Sequence, residues 1–104
     1  MYELLFSPPA ERYFKKLKER ALKKAFKAAL LEISKDPYHG SPKRGDLVGF
    51  YCYDLRYGKT SYEIAYAIRE TNGKKVVVIL AGTRENFYTE LKHYVKDSNS
   101  ILTS

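Results

Sequence analysis

The hydrophobic positions in the first third of the chain change their spacing at two prolines. A short apolar run at residues 2–7 stops at Pro8 and Pro9, and such a run favours a strand. Ser7 then offers an N-cap for a helix with proline in its first turn. From residue 10 to residue 35 there is no Gly or Pro, and apolar residues recur at spacings of three and four, as in an amphipathic helix. This spacing fits one long helix or two, and we expect two because a single helix of about 25 residues would be too long for a small domain.

The middle of the chain changes to the alternation that is typical of strands. Residues 36–49 contain two prolines and three glycines and are therefore expected to form mostly loop. Residues 50–57 and 61–69 then alternate apolar with more polar side chains. Gly58 and Lys59 lie between these two runs and predict a tight turn.

The last third predicts one more strand and a short helix. Asn72-Gly73 is a strong hairpin signal that leads into residues 74–81, which are apolar on both faces and are expected to form the central strand. Residues 84–95 return to helical spacing, and residues 96–104 form a polar tail. The whole pattern predicts an α+β fold in one domain over residues 1–95. It contains an N-terminal strand, a helical hairpin, an antiparallel sheet of about four strands and a short C-terminal helix.

Composition changes this picture by adding a strong positive charge. The chain has 19 Lys and Arg against 12 Asp and Glu, a formal net charge of +7, together with ten Tyr and five Phe. These totals favour a polyanionic partner, first a nucleic acid and then an acidic protein or an anionic membrane surface. The alternative is that the surplus lysine only keeps the chain soluble. A single cysteine, Cys52, cannot form an internal disulfide, and no leader or membrane-spanning run is visible, so we expect a cytoplasmic protein without metal or cofactor.

The polar faces of the predicted strands bring candidate catalytic residues together. Asp54, Arg56 and Glu63 share one side of the predicted sheet, and Arg84 and Tyr88 follow the end of the next strand. Acids, guanidinium groups and a phenol are sufficient for metal-independent cleavage of RNA. In that reaction a base removes the 2′-OH proton, arginine stabilises the phosphorane and an acid protonates the leaving 5′-oxygen. The alternative is an ordinary solvated strand face.

Three segments of the sequence resemble one family of toxins. They are the basic loop KRGDLVGFY from residue 43, the strand SYEIAYAI from residue 61 and the stretch VVVILAGTRENFY from residue 76. With the order of the predicted elements, they resemble the RelE/ParE superfamily of bacterial and archaeal type II toxins over residues 2–95. The resemblance implies a RelE-like fold and a cognate antitoxin that wraps the toxin. Its RelE and YafQ branches imply a ribosome-dependent mRNA endonuclease that inhibits translation, whereas its ParE branch implies a poison of DNA gyrase.

The resemblance also implies roles for single residues. Arg84 falls where RelE-like toxins place an arginine that stabilises the phosphate. Tyr88 falls near an aromatic residue that acts on the 2′-OH or stacks on a base, and Arg56 matches a basic position on the sheet face. The alternative for Tyr88 is a core residue of the last helix.

Three positions depart from the basic catalytic set of RelE-like toxins. Cys52 and Asp54 stand where two lysines are expected, and Glu63 stands where relatives have arginine. Glu63 or Asp54 is then a candidate general base, as a glutamate is in the YoeB branch. Alternatively, Glu63 forms a salt bridge with Arg56 or Arg84. The departures also leave open a homologue that has lost catalysis and only binds its antitoxin.

Basic residues outside the catalytic cluster are candidates for contacts with RNA. Between residues 12 and 27 eight Lys or Arg stand against one acid, and this face is expected to contact ribosomal RNA or an acidic antitoxin through charge alone. The candidates are Lys15, Lys16, Lys23 and Lys24 on the helices and Lys43 and Arg44 at the rim of the cleft. His39 and His93 are expected to be inert surface residues, and Cys52 a buried apolar one. We therefore interpret the chain as an mRNA interferase, with a gyrase inhibitor and a non-catalytic homologue as alternatives.

Overall fold

The computed structural model describes residues 1–97, which form a five-stranded mixed sheet covered by helices on both faces. In chain order the elements are β1 (Glu3–Phe6), α1 (Pro8–Lys16), α2 (Arg20–Lys35), β2 (Ser41–Pro42), β3 (Phe50–Tyr57), β4 (Thr60–Arg69), β5 (Lys75–Thr83) and α3 (Phe87–Asp97). Short 3-10 turns lie at Pro37–His39 and Gly45–Leu47. The α+β class and the order of the predicted elements are confirmed.

The sheet differs in two ways from the predicted antiparallel sheet of about four strands. Its order is β1-β5-β4-β3-β2, and β1 pairs with β5 in parallel. β2 adds a fifth strand of only two residues inside the predicted loop. The prediction that residues 74–81 form the central strand is wrong, because β4 lies in the middle. β5 still lies inside the sheet, between β1 and β4, and this position accounts for its apolar residues on both faces.

The predicted break in the helical stretch is confirmed at residues 17–19, which separate α1 from α2. Ser7 caps α1, since its Oγ accepts a hydrogen bond from the Ala10 N–H at 3.2 Å. The same hydroxyl donates a hydrogen bond of 2.5 Å to the Ile79 carbonyl of β5. Prolines occupy the first turn, where a helix needs no N–H donor. The buried Ser7 therefore fixes the start of α1 against the sheet.

Helices α1 and α2 pack on one face of the sheet. Phe26 and Ile33 of α2 are each 1% exposed and pack with Ile64 and Val78 of the sheet. The Phe26 ring meets the Tyr62 ring edge-on, with 5.5 Å between centroids. This face holds the larger part of the apolar core.

Helix α3 packs on the opposite face. Phe87 and Leu91 are 1% and 0% exposed and pack with Ala65, Ala67 and Ile79. The small side chains of β4 leave room for the helix to approach the strand. The side of β4 that alternation predicted to be the more polar one is therefore covered.

The C-terminal helix runs past the predicted domain boundary at residue 95. α3 includes residues 96 and 97, and the remainder of the predicted tail, residues 98–104, lies outside the described residues. Up to residue 97, no helix combines the length and the apolar character needed to cross a bilayer.

Candidate functional site

The candidate site lies where β3, β4 and β5 pair at one end of the sheet. Asp54 of β3 stands directly opposite Glu63 of β4. Toward the strand ends, Arg56 stands opposite Ser61, and the Ser61 carbonyl accepts a hydrogen bond of 2.8 Å from the Arg84 N–H. The strand register therefore brings the two acids and the two arginines to one place.

Tyr88 reaches the same place from the first turn of α3. Asn86 just before the helix has φ 61°, a left-handed conformation that Asn adopts more readily than most residues. The Tyr88 Oη donates a hydrogen bond of 2.5 Å to Glu63 Oε1. Lys43 Nζ lies 5.0 Å from the centroid of the Tyr88 ring, a cation–π contact. The ring packs against the core beneath α3, as the alternative for Tyr88 predicted, while its hydroxyl is directed at Glu63. We call Asp54, Arg56, Glu63, Arg84 and Tyr88 the sheet-end site.

Glu63 is a buried acid with one unsatisfied oxygen. The residue is 1% exposed, which is rare for a carboxylate. Its Oε2 has no hydrogen-bond partner within residues 1–97. Burial is the largest cause that raises the pKa of Glu63 from 4.5 to about 7, followed by the neighbouring Asp54 carboxyl, while Tyr88 and Arg84 act in the opposite direction. Glu63 therefore changes its charge near neutral pH.

The arginines of the sheet-end site remain open to solvent. Arg56 and Arg84 are both exposed. Within the described part of the chain, Glu63 forms no ion pair with either of them, so the predicted alternative of a salt bridge is wrong. Two exposed guanidinium groups beside a buried acid are suited to contact phosphate oxygens.

The Tyr88 phenol is kept in its neutral form. Burial raises the pKa of Tyr88, and the hydrogen bond to the Glu63 carboxyl raises it further. Tyr88 therefore acts as a hydrogen-bond donor to Glu63, and it can pass a proton to that carboxyl only when its own oxygen receives another.

A comparison with protein families decides the class of this chain. Residues 4–92 match the model of a family described as the ParE-like toxin of type II bacterial toxin-antitoxin systems. The chain belongs to the ParE-like toxin family. No curated protein sequence matches it.

Solved structures of toxin–antitoxin complexes share the fold of this ParE-like toxin. A chain of the RelBE2 complex from Mycobacterium tuberculosis is 30% identical with a TM-score of 0.61, and the match covers 80% of the toxin and 98% of that chain. A chain of the intact E. coli RelBE complex is 25% identical with a TM-score of 0.65, and the match covers 79% of this protein and 95% of that chain. A chain from a complex of mutant E. coli RelE with an antitoxin RelBc peptide is 23% identical with a TM-score of 0.62. The match covers 86% of this protein and 93% of that chain, and it supports the fold alone. The protein is thus a type II toxin with the RelE/ParE fold.

The predicted RNA-binding residues of the toxin divide between two surfaces. Lys43 is half-buried, and its side chain lies over the Tyr88 ring. The backbone N–H of Lys43 donates a hydrogen bond of 2.9 Å to the Phe50 carbonyl. Arg44, the next residue, is exposed. The four exposed helix lysines, Lys15, Lys16, Lys23 and Lys24, lie on α1 and α2, on the other face of the sheet. The sequence predicted Lys43 as a rim residue and missed its contact with Tyr88, because no local pattern joins a loop to a distant helix.

Cys52 and the two histidines stay outside this chemistry. Cys52 is 2% exposed, so the prediction that it is buried is confirmed. Burial is the main reason that its pKa is raised to about 11, as is typical of an unreactive thiol. His39 is exposed beside Asp36, with 3.5 Å between Nδ1 and Oδ2, and His93 is exposed on α3. Among the side chains of residues 1–96, no three from His, Cys, Asp or Glu group in a way that could hold a metal ion.

A separate apolar cleft of about 400 Å³ opens on the helical side of the toxin. It is lined by Phe6, Phe14, Leu17, Phe26 and Leu30, with lysines among its remaining residues. No residue of the sheet-end site lines this cleft.

Proposed function

We propose that this toxin is a ribosome-dependent endoribonuclease that cleaves mRNA by attack of a ribose 2′-OH on the adjacent phosphate. The observation that carries the proposal is the meeting of an exposed Arg84 with a half-buried Tyr88 that is hydrogen-bonded to Glu63. A guanidinium, a phenol and a carboxyl are the kinds of group that this attack requires. The proposed reaction proceeds with these groups and without a metal ion.

The two arginines are assigned to the phosphate. Arg84 follows β5 directly, and its N–H bond to Ser61 holds its backbone while its side chain faces solvent. Its guanidinium neutralises the charge that develops on the phosphorane. Arg56 stands on the other side of Ser61 and supplies a second cation for the phosphate backbone.

Tyr88 is assigned to the nucleophile. Tyr88 is half-buried and hydrogen-bonded to Glu63, and Glu63 is only 1% exposed, so Tyr88 is the member of this pair that we assign to contact with the ribose. Tyr88 positions the 2′-OH, and the candidate general bases are the buried carboxyl of Glu63 and the exposed carboxyl of Asp54 opposite it.

The proposed function involves two macromolecular partners. Exposed Lys15, Lys16, Lys23 and Lys24, with Arg44, offer positive charge to ribosomal RNA, in agreement with the net charge of +7. A cognate antitoxin keeps the toxin inactive, and the similar solved structures are themselves toxin–antitoxin complexes. A ribosomal target places the toxin in the cytoplasm.

Induced expression in bacteria tests the proposed function. The wild-type chain should arrest growth and leave in-frame cuts in a reporter mRNA, read by primer extension. Arg84→Ala should remove most of both effects, since losing one donor to a transition-state oxyanion costs about 10²–10³-fold in rate. Arg69→Ala removes an exposed arginine from the opposite end of β4 and should behave as the wild type does.

Inhibition of DNA gyrase is the second candidate function. One observation favours it: the matching family model is that of ParE-like toxins. The resemblance to RelE-like toxins also implies that Cys52, Asp54 and Glu63 stand at positions that are basic in those toxins. A gyrase inhibitor needs a binding surface and no catalysis. Growth arrest with broken DNA and intact mRNA would support gyrase, and a chain that causes no arrest would support a homologue that only binds its antitoxin.

A further inference from the structure

Asp54 and Glu63 oppose each other across two neighbouring strands. Like charges in directly opposed positions repel, and Glu63 is almost completely removed from water. Within residues 1–97 neither carboxylate forms an ion pair with a lysine, arginine or histidine. Two adjacent carboxyls without a counter-ion cannot both ionise easily, and such pairs retain a proton.

The unsatisfied oxygen of Glu63 marks where this proton can lie. Oε1 accepts the hydrogen bond from Tyr88 Oη, and Oε2 is buried without a partner among the described residues. A proton on Oε2 turns that oxygen into a donor. Asp54, directly opposite Glu63 in the strand register, offers the carboxylate that can accept from it. The Asp54 carboxyl is the largest cause of the raised pKa of Glu63 after burial.

The other groups around Glu63 do not supply enough positive charge to replace that proton. They are Cys52 on β3, Arg84 after β5, Tyr88 on α3, and Lys43, which lies over the Tyr88 ring. Cys52 and Tyr88 are neutral, because burial raises the pKa of both. The positive charge of Arg84 lowers the pKa of Glu63 less than burial and Asp54 raise it.

We propose that Asp54 and Glu63 share one proton below neutral pH, and that Glu63, once it has lost this proton, receives the proton of the ribose 2′-OH by way of Tyr88. This assignment rests on the proposed nuclease function, for which it supplies the general base. Tyr88 is the catalytic residue that touches the ribose. Asp54 and Glu63 are positioning residues, and Asp54 sets the pH at which Glu63 becomes a base.

The proposed step moves one proton along two hydrogen bonds. The 2′-O–H bond breaks and its proton passes to Tyr88 Oη, while the phenolic proton of Tyr88 passes to Glu63 Oε1. The 2′-oxygen forms a bond to phosphorus, and the bond from phosphorus to the 5′-oxygen breaks with its electron pair on that oxygen, which takes a proton from water. The products are a 2′,3′-cyclic phosphate and a 5′-hydroxyl, and Glu63 returns its proton to water.

NMR titration of the side-chain carboxyl carbons tests the shared proton without a cleavage assay. In the purified wild-type toxin the Glu63 carboxyl should titrate at about pH 7. Asp54→Asn removes the opposing charge and offers an amide donor, so the Glu63 midpoint should fall by about one pH unit or more. Asp46→Asn removes an exposed carboxylate from the loop before β3 and should leave the midpoint unchanged. A wild-type midpoint below about pH 5, or no shift in Asp54→Asn, overturns the shared proton.

The pH dependence of RNA cleavage tests the transfer through Tyr88. Single-turnover cleavage by the wild type should rise about tenfold per pH unit until the Glu63 midpoint and then level off. Asp54→Asn should move this midpoint by the shift that NMR measures. Tyr88→Phe should lose about 10²-fold or more of the rate, while its Glu63 still titrates, at a higher pH than in the wild type because the Tyr88 hydrogen bond is gone.

Two results of the cleavage assay contradict the transfer. A wild-type rate that does not change through the Glu63 midpoint overturns the role of Glu63, although the toxin is then still a nuclease. A wild-type chain that cuts no RNA overturns the nuclease function and the transfer together, and the NMR titration still decides whether Asp54 and Glu63 share a proton.

Discussion

Glu63 binds its proton more tightly in the folded chain than in the unfolded chain. Its pKa is about 7 in the fold instead of 4.5, first because of burial and then because of Asp54. The stability that this group contributes is fully present below the unfolded pKa and is lost as the pH rises through the folded pKa. The folded toxin should therefore lose stability between about pH 5 and about pH 8 through this residue.

Glu63→Gln removes this loss. The amide still accepts the Tyr88 hydrogen bond and can donate to Asp54, so the free energy of unfolding at about pH 8 should rise by at most about 3 kcal/mol. At about pH 5 the gain should be much smaller. Denaturant unfolding at both pH values measures it, and Glu85→Gln, an exposed acid before α3, is the control. A gain that is equal at the two pH values would show that the protonation of Glu63 is not its cause.

The same residue shows how far a sequence pattern reaches at this scale. Alternation in β4 predicted correctly that Glu63 shares a strand face with Ala65 and Ala67. It carried no information on whether that face is covered, and Phe87 and Leu91 of α3 cover it. Glu63, which alternation assigns to a polar face, is therefore buried. Its partner is Tyr88 and not one of the arginines that the sequence suggested.

At the scale of elements, the start of α3 controls the position of Tyr88. Asn86 has φ 61°, a conformation that costs most residues with a Cβ about 1–2 kcal/mol and costs glycine little. Asn86→Ala should therefore lower the free energy of unfolding by about 1 kcal/mol, whereas Asn86→Gly should leave it nearly unchanged. Denaturant unfolding compares the two variants. Equal destabilisation by Ala and Gly would mean that the Asn86 side chain, and not its backbone conformation, supports the helix.

The elements themselves were largely predictable, and their arrangement was less so. Three strand-like runs and a helical pair follow from local spacing, because burial on one face imposes a period on the sequence. The apolar faces of β5 indicate a strand inside the sheet, but both β4 and β5 satisfy that condition. The two residues of β2 are too few to show a period, and the parallel pairing of β1 with β5 joins strands that are far apart in the sequence.

At the scale of the whole molecule, positive charge lies on both sides of the sheet. Changing Lys15, Lys16, Lys23 and Lys24 to Gln should weaken binding to ribosomes and reduce the slope of log affinity against log salt by about 3. The fold should be unaffected, because these side chains are exposed. Sedimentation with ribosomes over a range of salt measures the slope. The matched control changes four other exposed lysines, Lys59, Lys74, Lys92 and Lys96. An equal loss in the control would mean that net charge alone, and not the face formed by α1 and α2, determines binding.

Cleavage of mRNA on programmed ribosomes is the reaction that the sheet-end site is proposed to perform. With purified wild-type toxin we predict a cut in the A-site codon that leaves a 2′,3′-cyclic phosphate and a 5′-hydroxyl. Arg84→Ala and Tyr88→Phe should each cut at least about 100-fold more slowly while they still sediment with the ribosome. Wild-type toxin that binds these ribosomes and leaves the mRNA intact, or Arg84→Ala that cuts at the wild-type rate, would contradict this function.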